Sequence, residues 1–176
     1  MIALIYAHPY PDRSRANHAM LEAVRDLGSV DVRMLYDRYP DFGIDVEAEQ
    51  AALARAHTIV WQHPIYWYSV PALMKLWIDQ VLAYGWAYGE GGTALRGKRV
   101  LWVPTTGGEP DAYGPHGMHA HPFATYEPPI RQTALFCGMQ WLEPIVVHGA
   151  HRVSEGELLV TAGRYRQRLE GLAVEH

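Results

Sequence analysis

Residues 100–108 read VLWVPTTGG, a short apolar run that stops at two threonines and two glycines. A buried strand reads this way where it meets a ligand. Threonine supplies hydroxyls, and glycine lets the backbone approach a flat or charged group. Two other stretches begin where an apolar run ends: residues 6–17 (YAHPYPDRSRAN) and residues 61–71 (WQHPIYWYSVP). Three strand ends with polar, glycine or aromatic tips describe one pocket at the carboxyl edge of a parallel sheet.

The rest of the chain supplies the helices that such a sheet requires. Residues 1–7 (MIALIYA) read as a strand stopped by His8, Pro9 and Pro11. A helix opens at residues 14–17 and runs to about Leu27, with Ala16, Ala19, Met20, Ala23 and Val24 at helical spacing and Gly28 as its cap. Residues 30–35 alternate and form the second strand, and residues 36–44 are turn-rich. Asp45 caps a helix that carries Val46, Gln50, Leu53, Ala54 and Ala56. Residues 58–62 form the third strand, and Pro71 sits in the first turn of a helix that reaches Val81. Residues 99–104 are the fourth strand, a helix spans 129–136 with Gly138 ending it, and residues 143–147 (EPIVV) are the fifth strand. Ser154-x-x-Glu157 is a capping box for a last helix that reaches about Leu172. Strand and helix alternate five times, so the fold is α/β. It is a flavodoxin-like three-layer sandwich with a five-stranded parallel sheet in the order 2-1-3-4-5. One flavin-binding domain over residues 1–176 is expected.

Composition narrows the partners. The net charge of −4 gives no basic footprint for nucleic acid. Cys137 is the only cysteine, so no intramolecular disulfide forms, which suits a reducing compartment. The N-terminus lacks a signal-peptide pattern, and no stretch approaches the ~20 apolar residues of a membrane-spanning helix. A cytoplasmic protein is expected, or one held at the cytosolic face of the inner membrane through a partner.

The candidate site residues lie on the three tips and just beyond them. Ser14, Arg15, Ala16 and Asn17 at a helix start offer backbone amides, a hydroxyl and an amide side chain to a phosphate, and His8 can add a ring donor. Ser14 equally serves as a simple helix cap. There is no G-x-G-x-x-G, so a mononucleotide phosphate fits better than a pyrophosphate. Ile65, Tyr66, Trp67 and Tyr68 can flank a planar ring, or belong to core or interface. Thr105, Thr106, Gly107 and Gly108 can face the same ring, or make a tight turn. Tyr113 and His119 follow in a long glycine- and histidine-rich loop over residues 107–122, and loops of that length are usually functional. Over a flavin, a phenol and an imidazole share the charge that builds up on reduction. His116, His119 and His121 do not match a metal-ligand spacing, so no metal is expected. Cys137, within LFCGM, reads as a small buried hydrophobe.

Taken together, YAHPYPDRSRAN, WQHPIYWYSVPALMKLWIDQV, GWAYGEGGTALRGK, TTGG and FCGMQWLEP resemble the flavodoxin-like NAD(P)H:quinone oxidoreductase family, over nearly the whole chain to about His148. DFGIDVEAEQAALARA and IVWQHPIYWYSVP look particularly like its branch of ancillary oxidoreductases in glutathione-gated potassium efflux systems. The resemblance implies a homodimeric flavoprotein that carries two electrons from NAD(P)H to a quinone. It places flavin contacts on His8, on residues 14–17, 65–68 and 105–108, and the charge relay on Tyr113 and His119. It implies FMN over FAD, since the chain is short and lacks an adenosine-binding insert. It implies an active site completed across a dimer, for which residues 84–88 are the candidate contributor, and contact with a potassium efflux transporter. Two other roles remain open: a purely regulatory module of that transporter, and a one-electron flavodoxin-type carrier. The carrier role fits the fold, but flavodoxins are usually more acidic and lack the loop with Tyr113 and His119.

Overall fold

Strand alternation decides which side chains face which layer. In a computed structural model, which describes residues 1–174, strand β1 (Ile2–Tyr6) is buried throughout. Ile2, Leu4 and Tyr6 point to one core, while Ala3 and Ile5 point to the other. Strands β3 (Thr58–Pro64) and β4 (Arg99–Thr105) divide the same way, with Val60, Leu101 and Val103 on the first side and Ile59, Trp61, Val100 and Trp102 on the second. Period-two alternation with apolar residues on both faces is how a strand reads when helices cover both sides of a sheet. The last two positions of the domain expected over 1–176 lie outside the described residues.

Strand β2 (Val30–Met34) pairs with β1, β1 with β3, β3 with β4, and β4 with β5 (Gln140–Trp141), all parallel. The order is 2-1-3-4-5, as the strand–helix alternation predicts. Helices α1 (Arg15–Glu22) and α6 (Glu155–Val174) cover one face. Helices α3 (Val46–Arg55), α4 (Ala72–Val81) and α5 (Glu127–Phe136) cover the other. Asp45 caps α3 by accepting from the Ala48 amide, and Ser154 and Glu157 bond reciprocally at the start of α6.

Local boundaries depart from the sequence reading in four places. The fifth strand is expected at 143–147, but regular pairing stops at Trp141. The cause is Pro144. The Leu142 amide donates to the Val100 carbonyl, and the next donor along the strand would be residue 144, which has no N–H. The Ile145 amide takes the Trp102 carbonyl instead, so one residue bulges out before Val147 rejoins β4 by donating to the Pro104 carbonyl. Helix α1 ends at Glu22 rather than near Leu27, because the Val24 and Leu27 amides turn back to carbonyls three residues earlier. A single helical turn, α2 (Leu35–Arg38), lies at the start of the turn-rich segment. Pro71 is the N-cap of α4 and not its first helical residue.

Candidate functional site

The carboxyl ends of β1, β3 and β4 meet at two adjoining cavities. The first, about 290 Å³, is lined by His8 after β1, Ser14 to Asn17 at the start of α1, Ile65 and Tyr66 after β3, and Thr105 to Gly107 at the end of β4. The second, about 230 Å³, is lined by Ile65, Trp67, Tyr68, Gly107, Gly108, Tyr113 and His119. Ile65 and Gly107 belong to both. Every site residue singled out from the sequence therefore lines one cavity or the other.

The first cavity has an anion-suited floor. Ser14 caps α1 by accepting from the Asn17 amide, the simple helix-cap role. The Arg15 and Ala16 amides are first-turn donors without intrahelical partners, at the positive end of the helix dipole. His8 Nδ1 accepts from the Tyr10 amide, which leaves the ring proton on Nε2. Burial lowers the His8 pKa, so its ring is a neutral donor. Arg15 is less available than its charge suggests, because its guanidinium donates to the Val153 carbonyl at 2.5 Å.

Deeper in, Asn17 is 1% exposed and donates through Nδ2 to Thr105 Oγ1 at 2.7 Å. Thr105 therefore keeps its own hydroxyl proton for another acceptor. Asn17 Oδ1 and the Tyr6 hydroxyl, both buried, have no partner among the described residues. Neither atom is open to solvent, so the group that this depth offers a polyol chain is the Thr105 hydroxyl, which lines the cavity.

The second cavity is aromatic. Tyr66 and Ser69 exchange two backbone hydrogen bonds, which makes residues 66–69 a two-residue hairpin. Its central residues are Trp67 (φ 48°) and Tyr68 (φ 63°), in the left-handed region that Asn-Gly normally fills. Trp67 is 92% exposed. Strain of this kind, about 1–3 kcal/mol per residue, clusters at functional loops.

Opposite this turn, residues 107–122 fold back on themselves. The His119 amide donates to the Ala112 carbonyl, which brings His119 over Tyr113 with ring centroids 4.5 Å apart and planes at 21°. The Tyr68 hydroxyl lies 3.4 Å from His119 Nδ1. Gly108 packs beneath: a Cβ there would stand 3.0 Å from His119 Nε2 and 3.1 Å from the Tyr113 ring. A Cβ on Gly107 would have only the His151 ring nearby, at 3.9 Å. The Gly107 and Gly108 amides have no protein acceptor among the described residues. A flat group with acceptors on its edge fits beside that wall. The first-turn and glycine-wall donors, the Thr105 hydroxyl and the open Gly107 suit FMN.

Behind this wall, Trp102 Nε1 donates to His63 Nε2 at 2.8 Å, and His63 Nδ1 then donates to the Pro64 carbonyl at 2.9 Å. Burial lowers the His63 pKa to about 4.

Several lining residues escape the sequence reading. Tyr10, Arg13 and Pro64 border the first cavity, and Ala150 and His151 close it from the side opposite α1. The signal for the last two was present: residues 146–151 (VVHGAH) are a fourth apolar run ending in a polar and glycine tip. Residues 84–88 line neither cavity within one chain. Tyr84 folds edge-on against Tyr88, which packs on Phe136. Cys137 is buried. His116 lines an adjoining groove that shares Gly107, Gly108 and His151 with the two cavities, and among the described residues no three His, Cys, Asp or Glu side chains gather as metal ligands. No helix among them is long and apolar enough to cross a membrane.

A 2-1-3-4-5 parallel sheet with its cavities at the carboxyl edge places the protein in the flavodoxin-like class. The chain belongs to the Flavodoxin_2 family of that fold, which matches residues 1–169. It is 53% identical over 170 residues to the glutathione-regulated potassium-efflux system ancillary protein KefF of Salmonella typhi, covering 96% of this chain and 95% of that one. It is also similar to the general stress protein 14 of Treponema denticola in complex with FMN, with 34% identity, a TM-score of 0.91 and coverage of 97% and 98% of the two chains. The NADPH-quinone reductase from P. pentosaceus is similar too, with 27% identity, a TM-score of 0.86 and coverage of 96% of each chain.

Proposed function

We propose that the protein is an FMN-dependent NAD(P)H:quinone oxidoreductase. The observation that carries this reading is one site with two chemically different ends, an anion-suited helix start and an aromatic cavity holding the Tyr113–His119 stack. When bound, FMN would supply a two-electron carrier able to accept hydride from NAD(P)H and pass it to a quinone. The first-turn amides of α1 and His8 Nε2 would hold the phosphate, Thr105 would hold the polyol, and the Gly107 and Gly108 amides would meet the ring edge. Trp67 and Tyr68 border the open face, where the nicotinamide and then the quinone would stack in turn.

The overall reaction, quinone plus NAD(P)H plus a proton giving hydroquinone plus NAD(P)⁺, takes one proton from water. The Tyr113 hydroxyl and the His119 ring would supply that proton; His119 Nδ1 faces Tyr68 and its Nε2 lies beside Gly108. General acid groups of this kind contribute about 10²-fold or more. Y113F and H119Q should therefore retain FMN, judged by the visible spectrum, and reduce a quinone such as menadione at least tenfold more slowly. Full turnover in both variants would remove them from the reaction. A purified protein that takes up no flavin would overturn the whole reading, and flavin that NAD(P)H cannot bleach under nitrogen would favour a one-electron carrier.

A second role rests on the 53% identity to KefF. The protein would act as a homodimeric ancillary subunit at the cytosolic face of a potassium efflux transporter. Co-purification with the transporter and potassium efflux in the presence and absence of this chain test that role. Unchanged efflux without association would refute it.

A further inference from the structure

His148 is a residue the proposed reaction leaves without a role. Its position follows from the rejoining of the fifth strand after the Pro144 bulge. The Thr106 amide donates to the Val147 carbonyl, and the Ala150 amide donates to the Thr106 carbonyl. Thr106 is thus gripped on both sides by residues 147 and 150, and His148 falls directly beside its side chain.

Three contacts then converge on one imidazole. Thr106 Oγ1 donates to the Gly108 carbonyl at 2.7 Å. His148 Nδ1 lies 3.1 Å from the same oxygen. The hydroxyl proton is already used, so Nδ1 must carry the ring proton and donate it. The Gly108 carbonyl also accepts from the Gly149 amide at 2.8 Å, so it is turned toward residues 106 and 149. The other side of the imidazole packs on Tyr113, with centroids 5.4 Å apart, and meets Phe123 edge-on at 5.1 Å. One side chain therefore touches both the threonine hydroxyl that bonds the glycine wall and the Tyr113 ring of the aromatic cavity.

We infer that His148 is a positioning residue of this site: through the Thr106 hydroxyl it holds the Gly107–Gly108 wall, and through its ring it holds Tyr113 in the stack with His119. This rests on the oxidoreductase reading above. The chemistry it implies is specific. Only the Nδ1 donor matters to Thr106, so asparagine, whose amide nitrogen sits near the Nδ1 position, can replace it. Glutamine places its nitrogen nearer Nε2 and cannot.

The test uses the FMN-loaded protein with H148Q, H148N, T106V and the H148Q/T106V pair. It measures FMN affinity by fluorescence quenching, the midpoint potential of the bound flavin, and kcat and KM with NADPH and menadione. Loss of a supporting hydrogen bond behind a ligand site costs about tenfold. H148Q and T106V should each weaken FMN binding about tenfold and shift the potential. The pair should be no worse than either single variant, because both cut one chain of bonds. H148N should recover FMN affinity and potential to within about twofold of wild type, a rescue expected of the donor it restores, while kcat stays low because the ring against Tyr113 is gone. A merely structural role would lower thermal stability and leave the potential of the folded fraction unmoved. Wild-type potential and affinity in H148Q would overturn the inference, as would losses that multiply in the pair or an H148N that fails as H148Q does. If H148Q does not fold, T106V against T106S carries the same comparison, since serine keeps the hydroxyl. Wild-type protein that binds no FMN would overturn the oxidoreductase reading and this inference with it. FMN binding that is indifferent to residue 148 would overturn the inference alone.

Discussion

His63 shows how one buried side chain is tied to both core and site. It is fully buried on β3 beside β4, with its tautomer set by Trp102 and its proton committed to the Pro64 carbonyl. Charging it would place a cation where no carboxylate answers it, which is why burial takes its pKa from 6.5 to about 4. The sign of the pH effect follows. Above the unfolded value both states are neutral and the full stability is present. As pH falls from about 6.5 toward 4 the unfolded chain binds the proton first, and stability declines by about 3 kcal/mol across that window. Urea unfolding at pH 7.5 and pH 4.5 should show this loss in the wild type and a clearly smaller one in H63Q. Equal acid sensitivity in both would remove His63 as the cause. The residue types at the site were legible from the sequence, since Thr, Gly, His and Tyr after apolar runs carry their chemistry in their side chains. Which atom of each ring holds its proton was not, because that depends on neighbours such as Tyr10 for His8 and Trp102 for His63.

At the scale of elements, the hairpin at residues 66–69 trades backbone comfort for aromatic surface. Trp67 and Tyr68 both sit at positive φ, where Asn and Gly carry far less penalty. The double substitution W67N/Y68G should stabilise the folded protein by about 1–3 kcal/mol while weakening turnover with NAD(P)H. Thermal unfolding and steady-state rates on the same preparation check both halves. A less stable double variant would show that the rings contribute more by packing than the turn costs in strain. Element types were readable from period and caps, as Asp45 and the Ser154–Glu157 box show. The fifth strand was misplaced because Pro144 interrupts the ladder at a point fixed by register against Val100 and Trp102. Register is a property of two strands, and neither sequence alone contains it.

At the scale of the whole molecule, Glu49 of α3 joins β2, the segment after α2, and α4. It is fully buried and accepts from Arg33 on β2, from Tyr39 beyond α2 and from Trp77 on α4. Burial alone would raise its pKa, but these donors outweigh burial and hold it below the usual carboxylate value of 4.5. Its contribution is therefore present above that value and lost as pH falls through the lower, folded-state pKa. E49Q removes the charge and leaves Arg33 with only Asp31, at 3.2 Å, as a carboxylate partner. Breaking a buried pair costs about 3–5 kcal/mol, and the loss should be read at pH 7 by urea unfolding, with a flatter acid limb than wild type. A cost under about 1 kcal/mol would mean that the pair does little more than a surface salt bridge.

The alternation of strand and helix, the two-sided burial of the sheet and the gathering of the candidate residues at its carboxyl edge follow from the sequence by itself. They rest on period-two and helical spacing and on turn residues, all of which act within a few positions of the chain. The tertiary structure alone decided that His119 stacks on Tyr113, that Arg15 ties down Val153, that Asn17 reaches Thr105, and that His148 reaches Thr106 across 42 positions. The first is set by how one long loop closes on itself, the others by the packing of one strand end or helix start against another. Contacts between distant strand ends depend on register, bulges and loop closure together, and no local pattern encodes them.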